Sequence, residues 1–421
     1  MPPDDAVALA DRSIPWSLRG LFLAFFLTGF AIVGQITVVG KQVFDMTGRE
    51  LDLGLLGLAE FVPVAILAPF SGAVADRFDR RRVYALSLAA ELLCSLGLFA
   101  YIASEPTSVG PIFVLVALFG AARSFAGPSG QSLPVDLATP DNLERVMALR
   151  SVAFQAGFIV GPVAMGFIFV ADPALPYLVA VIAFALAIPI LFLIPKPDTR
   201  RLTTRGGMQA LRDAREGLRF MRRQPIVFGA ISLDLFAVLF GGIIALLPAI
   251  AEDRLGVGAV GLGWLRAATG IGAGTTALIL SVRPVRRRVG KTLLTVIAIF
   301  GVMTILIGLV DSYAIVFAAL LVASAADSVS VFIRSTLVPL ATPEVMRGRV
   351  LAVERVFIGA SNELGAAESG LTAAVFGLVG AILFGGVGTL AVVAIWWRWF
   401  PSLRNVDRFQ EVRAATPHPE S

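Results

Sequence analysis

The sequence contains very few of the residues that build active sites in soluble enzymes. Its 421 residues include one cysteine, Cys94, and one histidine, His418, and only 15% are Asp, Glu, Lys or Arg. A single cysteine excludes an intramolecular disulfide. A single histidine in a polar tail leaves no Cys/His metal site, no histidine relay and no Ser/His/Asp triad within the fold. We therefore expect no enzyme activity, no metal and no cofactor, and any proton transfer must use carboxyl groups.

A nucleotide-binding loop is also missing. The run Val289-Gly290-Lys291-Thr292 resembles the end of a phosphate-binding loop, but Val285 occupies the position where that loop requires its first glycine. No strand is expected before it either. ATP hydrolysis by this chain is therefore not expected.

Apolar residues are abundant instead. They make up 57% of the chain and give a mean hydropathy of +0.83, which indicates a protein that lies in a bilayer. Because about 20 apolar residues cross the hydrocarbon, we predict twelve spans, numbered here in chain order. They cover residues 18–44, 51–75, 83–104, 110–136, 143–171, 174–195, 225–251, 258–282, 290–310, 313–338, 346–375 and 377–399. The predicted fold class is all-α, with twelve transmembrane helices.

Basic residues indicate how the spans are oriented, because they stay on the cytoplasmic side. With both termini in the cytoplasm, only three of the 35 basic residues, Lys41, Arg49 and Arg254, lie outside, and three more lie within spans. An odd number of spans would divide the basic clusters between the two sides. The net charge of +5 is thus a topology signal, and no nucleic-acid partner is expected. Residues 1–16 lack the features of a removable signal, so the first span is expected to be retained.

A duplicated segment divides the chain into two halves. The first copy reads ATPDNLERVMALRSVAFQAGFIVGPVAMG, and the second, from residue 341, reads ATPEVMRGRVLAVERVFIGASNELGAAESG. The matching positions include Val146 with Val350, Gly161 with Gly365, and Gly166 with Gly370. A period of half the chain indicates two similar bundles, as in many secondary transporters. The predicted parts are an N-terminal segment 1–17, a first six-helix bundle 18–195, a linker 196–224, a second bundle 225–400 and a tail 401–421.

The linker contains an amphipathic pattern. Met208, Leu211, Leu218 and Met221 fall near one side of a helix, and arginines fall elsewhere. This pattern predicts a cationic helix that lies on the inner leaflet. The alternative is a solvated linker held by its charge alone.

Two segments carry glycines, a proline and charges at fixed spacing. The first follows the second span and includes Gly72, Asp76, Arg77, Arg80 and Arg81. Its glycine lets neighbouring backbones approach, and its acid can neutralise basic partners. The second segment lies in the fifth span. Its members are Gly157, Gly161, Pro162 and Gly166, which favour tight helix contact and a bend. An ordinary glycine-rich transmembrane helix is the alternative for the fifth span.

Ionisable side chains inside spans are functional candidates, since each costs about 3 kcal/mol at a helix centre on insertion scales. Arg123 lies near mid-membrane in the fourth span, and the repeat places Asp327 of the tenth span at the equivalent position. We predict that they share a central cavity and exchange partners during transport. The alternative is that each neutralises another buried charge for folding alone.

Other polar groups in the spans complete the candidate site. Glu60 and Glu363 lie deep in their spans, where a buried carboxyl can load and release protons near neutral pH. Glu91 and Asp234 lie about nine residues from the cytoplasmic end, where snorkelling or vestibule lining suffices. The predicted proton-coupling residues are Arg123, Asp327, Glu60 and Glu363, and the predicted substrate-cavity residues are Gln35, Gln155, Asn362 and Arg334.

From about residue 18 to residue 400 the chain resembles the major facilitator superfamily. The segment after the second span matches that family's pattern G-x-x-x-D-R-x-x-R-R, in which the resemblance gives Asp76 a role in holding one transport state. The fifth span matches the antiporter pattern G-x-x-x-G-P-x-x-G-G, with Met165 in place of one glycine. Arg123 is similar to the fourth-helix arginine of drug/proton antiporters, with Ala126 where glutamine is usual. In the second half, Val282 stands where Asp76 does in the first.

Within the superfamily the chain is similar to the enterobactin exporter group. The resemblance implies a monomeric protein of the bacterial inner membrane that works by alternating access. Its partners would be a small-molecule substrate, protons and the lipid bilayer. We expect a proton-coupled exporter of small amphiphiles, of drug or siderophore type. The alternatives are an uptake symporter or facilitator, and a receptor or scaffold that moves no solute.

Overall fold

The structure is a computed structural model that describes residues 15–139, 141–195 and 207–414. Its helices follow the predicted spans in order. In the first half they are Trp16–Thr47, Glu50–Arg77, Arg80–Ile102, Gly110–Leu137, Leu143–Ala171 and Leu175–Leu193. In the second half they are Pro225–Phe240, Gly258–Val282, Val289–Leu309, Tyr313–Leu340 and Glu344–Trp399, and shorter helices lie at Gly207–Arg223, Pro401–Arg404 and Phe409–Ala414.

Eleven helical segments of the described chain are long and apolar enough to cross a membrane. The last of them, Glu344–Trp399, is two helices that meet at Gly377, whose backbone has φ 74° and ψ 168°. This region of backbone space is open essentially to glycine alone. Counting the two helices separately gives the twelve spans expected from composition, and the all-α membrane fold is confirmed.

The seventh span is irregular. Its α-helix ends at Phe240, and the chain continues through a 3-10 turn, Gly242–Leu246, and a π turn, Ile250–Arg254. A Cβ on Gly242 would lie 2.1 Å from the carbonyl oxygen of Gly365, so the two backbones touch at this point. The break in the helix therefore coincides with close contact against the eleventh span.

Backbone contacts divide the chain into two units. The first contains residues 1–42 and 59–204, and the second contains residues 43–58 and 205–421. The end of the first span and the start of the second are thus part of the second unit. There Phe44 and Leu53 join an apolar core with residues of the seventh to twelfth spans. A Cβ on Gly370 would lie 2.8 Å from the Cα atom of Gly54, so residues 43–58 pack tightly on the eleventh span.

The linker helix, Gly207–Arg223, lies against protein. Leu218 and Met221 pack on the core of the second unit, and Met221 is 2% exposed. Arg349 at the start of the eleventh span pairs with Asp213 at 2.9 Å and with Glu216 at 2.6 Å. The expectation that this helix lies on the inner leaflet stays a prediction. Its apolar side is covered by the second unit, and the side chains of Met208 and Leu211 lie outside the described residues.

Candidate functional site

Charged side chains of the first unit meet where the second and fourth spans cross. Arg123 pairs with Glu60, with its Nη1 atom donating to Oε1. Gly120 makes this pairing possible, because a Cβ at that position would lie 2.1 Å from the carbonyl oxygen of Glu60 itself. The side chains of Arg123 and Glu60 are 43% and 15% exposed. The pair is therefore open to the surroundings of the unit, as a solvent-accessible site requires.

Glu91 in the third span is a third member of this charge group. It is 0% exposed, and neither of its carboxyl oxygens has a hydrogen-bond partner among the described residues. Arg123 and Glu60 are the charged groups that act on it electrostatically. The snorkelling expected for Glu91 is wrong, because its side chain turns into the helix bundle and not toward the nearer end of the span.

The second unit holds a denser group around Arg334. This side chain donates to Asp234 at 2.6 Å and, through Nε, to Ser330 at 3.3 Å. Asp327 and Glu354 both act electrostatically on Asp234. Arg334 and Asp234 are only 5% and 6% exposed, so Asp234 does not reach the end of its span as expected. Three carboxyl groups from the seventh, tenth and eleventh spans thus surround one guanidinium group.

Arg334 was expected to line a substrate cavity, and its burial changes that interpretation. A guanidinium group that is paired and almost fully enclosed is held by the protein itself. Arg123 and Asp327, the residues expected to exchange partners, belong to different units. Each has an opposite charge within its own unit, which is Glu60 for Arg123 and Arg334 for Asp327. Their predicted exchange remains a prediction.

The remaining predicted residues are distributed over both units. In the second unit, Glu363 lies near the second span, since a Cβ on Gly57 would be 3.1 Å from its Oε2 atom. The exposed Asn362 donates to the carbonyl oxygen of Ile358 at 2.9 Å. In the first unit, Gln155 is half-buried and Gln35 is 2% exposed, with no partner for its Oε1 among the described residues. Gln35 and Asn362 therefore carry polar atoms suited to a ligand.

The arginines that follow the second span form hydrogen bonds with other spans of the first unit. Arg80 donates to both carboxylate oxygens of Asp136 at 2.8 Å, and Arg81 donates to the carbonyl oxygen of Ile194 at 2.7 Å. Asp79 caps the third span by accepting from the backbone N–H of Arg81. These contacts join the loop to the ends of the fourth and sixth spans.

Gly72 departs from its expected role in this segment. A Cβ at Gly72 would meet no described atom within 4 Å, so the predicted close approach of backbones is not seen among the described residues. Arg77 is exposed, and the side chain of Asp76 lies outside the described part of the structure. The proposed hold on one transport state through Asp76 therefore stays a prediction.

The glycines of the fifth span bring it against the first span. A Cβ on Gly157 would lie 2.4 Å from the carbonyl oxygen of Phe26, and one on Gly161 would lie 2.4 Å from that of Phe30. Pro162 and Gly166 are buried in the same helix. Met165, which replaces a glycine of the antiporter pattern, reaches across to Gly34. The tight helix contact expected from the spacing is present.

Sequence reasoning missed Glu354, and it named Glu91 but gave it the wrong surroundings. The buried face of the third span runs through Tyr84, Leu88, Glu91, Ser95 and Leu98, at the spacing of one helix face. That spacing is visible in the sequence and places an acid on an apolar stripe. Distance from the end of a span was the wrong criterion, because it says nothing about which side of the helix faces the bundle.

Twelve helical spans in two units, with ion pairs and spare carboxyl groups inside the spans, define a multi-pass membrane protein of the transporter class. The family model for the Major Facilitator Superfamily matches residues 21–304. The chain belongs to the major facilitator superfamily, and it is a secondary transporter and not an enzyme.

Curated relatives share modest identity with the chain. The uncharacterized MFS-type transporter YfiS of Bacillus subtilis strain 168 is 28% identical over 280 residues, which cover 65% of this chain and 64% of that protein. The enterobactin exporter EntS of Escherichia coli O127:H6 strain E2348/69 is 26% identical over 396 residues, covering 89% of this chain and 86% of the exporter. The second likeness extends over most of both proteins.

Solved structures share the fold at lower identity. A bacterial homolog of the human lysosomal transporter Spinster has a TM-score of 0.68 and 16% identity, covering 91% of this chain and 96% of that one. The nucleoside transporter NupG has a TM-score of 0.69 and 12% identity, covering 93% and 99%. These likenesses show the major facilitator fold, and they carry no information about the solute.

Proposed function

We propose that this transporter exports small amphiphilic molecules, of drug or siderophore type, in exchange for protons by alternating access. The observation that carries the proposal is an excess of carboxyl groups within the spans of each unit. Glu60 and Glu91 share one nearby arginine, and Asp234, Asp327 and Glu354 share another. Arg355 also acts on Glu354, so the acids outnumber the arginines by one in each group.

The physical argument concerns the cost of unbalanced charge. An ionised carboxylate removed from water without a partner is so unfavourable that the group binds a proton instead. Each group has one carboxyl group more than it has arginines and therefore holds about one proton. A solute or a conformational change that alters the arginine contacts would alter proton binding, which is what coupling requires.

Export is favoured over uptake by two further observations. A relative that matches 89% of this chain is named as an exporter of enterobactin, a siderophore. The fifth span also carries the glycines and proline typical of proton-driven antiporters, and these glycines make the expected close contact with the first span. We accordingly propose a location in the bacterial inner membrane, with both termini in the cytoplasm.

The predicted residues take distinct roles in this proposal. Arg123 with Glu60, and Asp327 with Arg334, are the groups whose protonation and pairing follow the transport cycle. Glu363 lies on the second unit and is a further proton-binding candidate. The polar atoms that contact solute are assigned to the amide side chains of Gln35, Gln155 and Asn362. Arg334 contributes by pairing with Asp234 and by acting electrostatically on Asp327 and Glu354.

Transport in proteoliposomes tests the proposal. The purified protein is reconstituted, a pH gradient is imposed, and flux is measured for a panel of dyes, antibiotics and siderophores. We expect flux of at least one amphiphile that depends on the gradient and moves opposite to the protons. The exchanges Asp327→Asn and Arg123→Ala should abolish it, and Glu105→Gln, an exposed loop acid, is the matched control. Flux that ignores the gradient would refute antiport, and movement with the protons would establish an uptake symporter.

A further inference from the structure

We propose that Glu91 is a buried proton-binding site that shares Arg123 with Glu60. The inference rests on the proposed function and deepens it, because it names where a transported proton resides in the first unit. The three side chains come from three different spans, the second, third and fourth. They differ in access, from 43% exposure for Arg123 to 0% for Glu91.

The surroundings of Glu91 decide its charge. It lies on the stripe of the third span that also buries Leu88 and Leu98. Both of its carboxyl oxygens are buried without a hydrogen-bond donor among the described residues. A carboxylate in such a place would lack the hydrogen bonds that offset the loss of water, so Glu91 carries its proton while Arg123 is paired with Glu60.

The titratable groups around Glu91 are few. From the fourth span Arg123 acts on it, and from the second span Glu60 does. On its own helix, Tyr84 and Cys94 are affected by its charge, and neither supplies a positive charge. The sixth span, which packs on the third, contains no Asp, Glu, Lys, Arg or His between Leu175 and Leu193. Among the described residues, Arg123 is therefore the cation that acts on Glu91, while Arg150 acts on Tyr84.

Two arrangements of this group have the same net charge. In the first, which keeps the pairing of Glu60 with Arg123 seen in the structure, Glu91 holds the proton on one of its oxygens. In the other, Arg123 donates to an ionised Glu91 and the proton lies on Glu60. The O–H bond of Glu91 breaks, an O–H bond forms on Glu60 and no other atom changes. One proton thus passes between a site enclosed in the bundle and a site that is 15% exposed.

Infrared spectroscopy of the purified full-length protein tests this assignment. A protonated carboxyl group has a carbonyl stretching band that carboxylates and amides lack. At neutral pH we expect the spectrum of the wild type minus that of Glu91→Gln to contain one such band, and the same difference for Glu105→Gln to contain none. A wild-type spectrum that matches Glu91→Gln in this region would overturn the proposal.

The role of Arg123 gives a second measurement. If Arg123 is shared, Arg123→Gln leaves Glu60 without its cation, so a second protonated-carboxyl band should appear. This second band should be absent from the double variant that also carries Glu60→Gln. No change in this region on removing Arg123 would overturn the shared pairing. Glu91→Gln and Glu91→Leu should unfold no more readily than the wild type, because they remove an acid that has no partner. Strong destabilisation by both would show that Glu91 is an ionised structural residue.

The two proposals fail separately. A Glu91 band in a protein whose flux ignores the pH gradient would leave the proton site intact and refute the antiporter. A second outcome would refute the role of Glu91 alone. In it, the wild type shows no Glu91 band, and Glu91→Gln keeps gradient-driven flux at the wild-type rate. For the proposed site we expect Glu91→Gln to lose gradient-driven flux at least tenfold, while flux in Glu105→Gln stays unchanged.

Discussion

Removing Arg334 should destabilise the protein more than removing any one of its acidic neighbours. Arg334 is the cation on which three carboxyl groups depend. Its pairing with Asp234 is direct, at 2.6 Å, while Asp327 and Glu354 interact with it electrostatically. The exchange Arg334→Met keeps much of the volume and removes the charge. It removes the cation that acts on Asp234 and Asp327, while Arg355 still acts on Glu354.

The magnitude follows from burial. Breaking a buried ion pair by removing one partner costs about 3 to 5 kcal/mol, because an uncompensated charge stays behind. Arg334 and Asp234 are 5% and 6% exposed, so this range applies to Arg334→Met. Asp234→Asn should cost less, about 1.5 to 3 kcal/mol, the loss of a charged hydrogen bond. Arg334 then still interacts with Asp327 and Glu354, so its positive charge is not left without an acid.

The assay is reversible unfolding of the purified protein in mixed detergent micelles, followed by tryptophan fluorescence, with both variants compared with the wild type. Arg123→Met is the matched control, since its pairing with Glu60 is 43% exposed on the arginine side and should be worth less than about 1 kcal/mol. The loss in Arg334→Met should also grow as the pH rises. Its folded state needs bound protons on acids that lack a cation, and these protons are lost at higher pH.

An equal or larger loss in Asp234→Asn would refute this reasoning. It would mean that Asp327 and Glu354 do not act as alternative partners for Arg334. A loss in Arg123→Met as large as that in Arg334→Met would contradict the role given to burial.

Three further predictions concern backbone contacts and the linker helix. Gly120→Ala should destabilise the protein by about 1 to 3 kcal/mol through overpacking against the second span. Its control is Gly127→Ala on the same helix, whose added Cβ meets no described atom within 4 Å and should be neutral. Chemical unfolding compares the two variants. Gly377→Ala should cost about 1 to 3 kcal/mol in the same assay, because its φ of 74° with ψ of 168° suits glycine alone. Arg349→Gln removes the pairing with two acids of the linker helix and should speed proteolysis within Gly207–Arg223, while Arg398→Gln, at the end of the twelfth span, should leave the cleavage rate unchanged.

The spans were predictable because composition alone defines them. A bilayer imposes a length on every apolar segment, and the charged loops mark where each segment stops. The close contact of Gly157 and Gly161 with the first span was predictable for a related reason. Small residues at regular spacing leave a smooth helix face that another backbone can approach. Both inferences need only local sequence.

The charge groups could not be assigned in the same way. Arg334 and Asp234 are 100 positions apart in the chain, and their pairing depends on how the seventh and tenth spans cross. The surface that covers the linker helix could not be predicted for a different reason. An amphipathic pattern requires an apolar surface, but it does not specify whether lipid or protein supplies that surface. Gly72 matched a motif, yet no described atom lies within 4 Å of where its Cβ would be. Such features arise from packing over long sequence separation.

The junction at Gly377 has a mechanical consequence. A single residue connects the helix that ends at Phe376 with the helix that begins at Leu378, where other neighbouring spans are joined by longer turns. A connection of one residue offers no slack, so the two helices cannot slide along their axes independently. The eleventh and twelfth spans are therefore expected to move together as one rigid body, with Gly377 as the fixed connection between them. An epitope tag inserted at Gly377 should disrupt the protein instead of marking its surface.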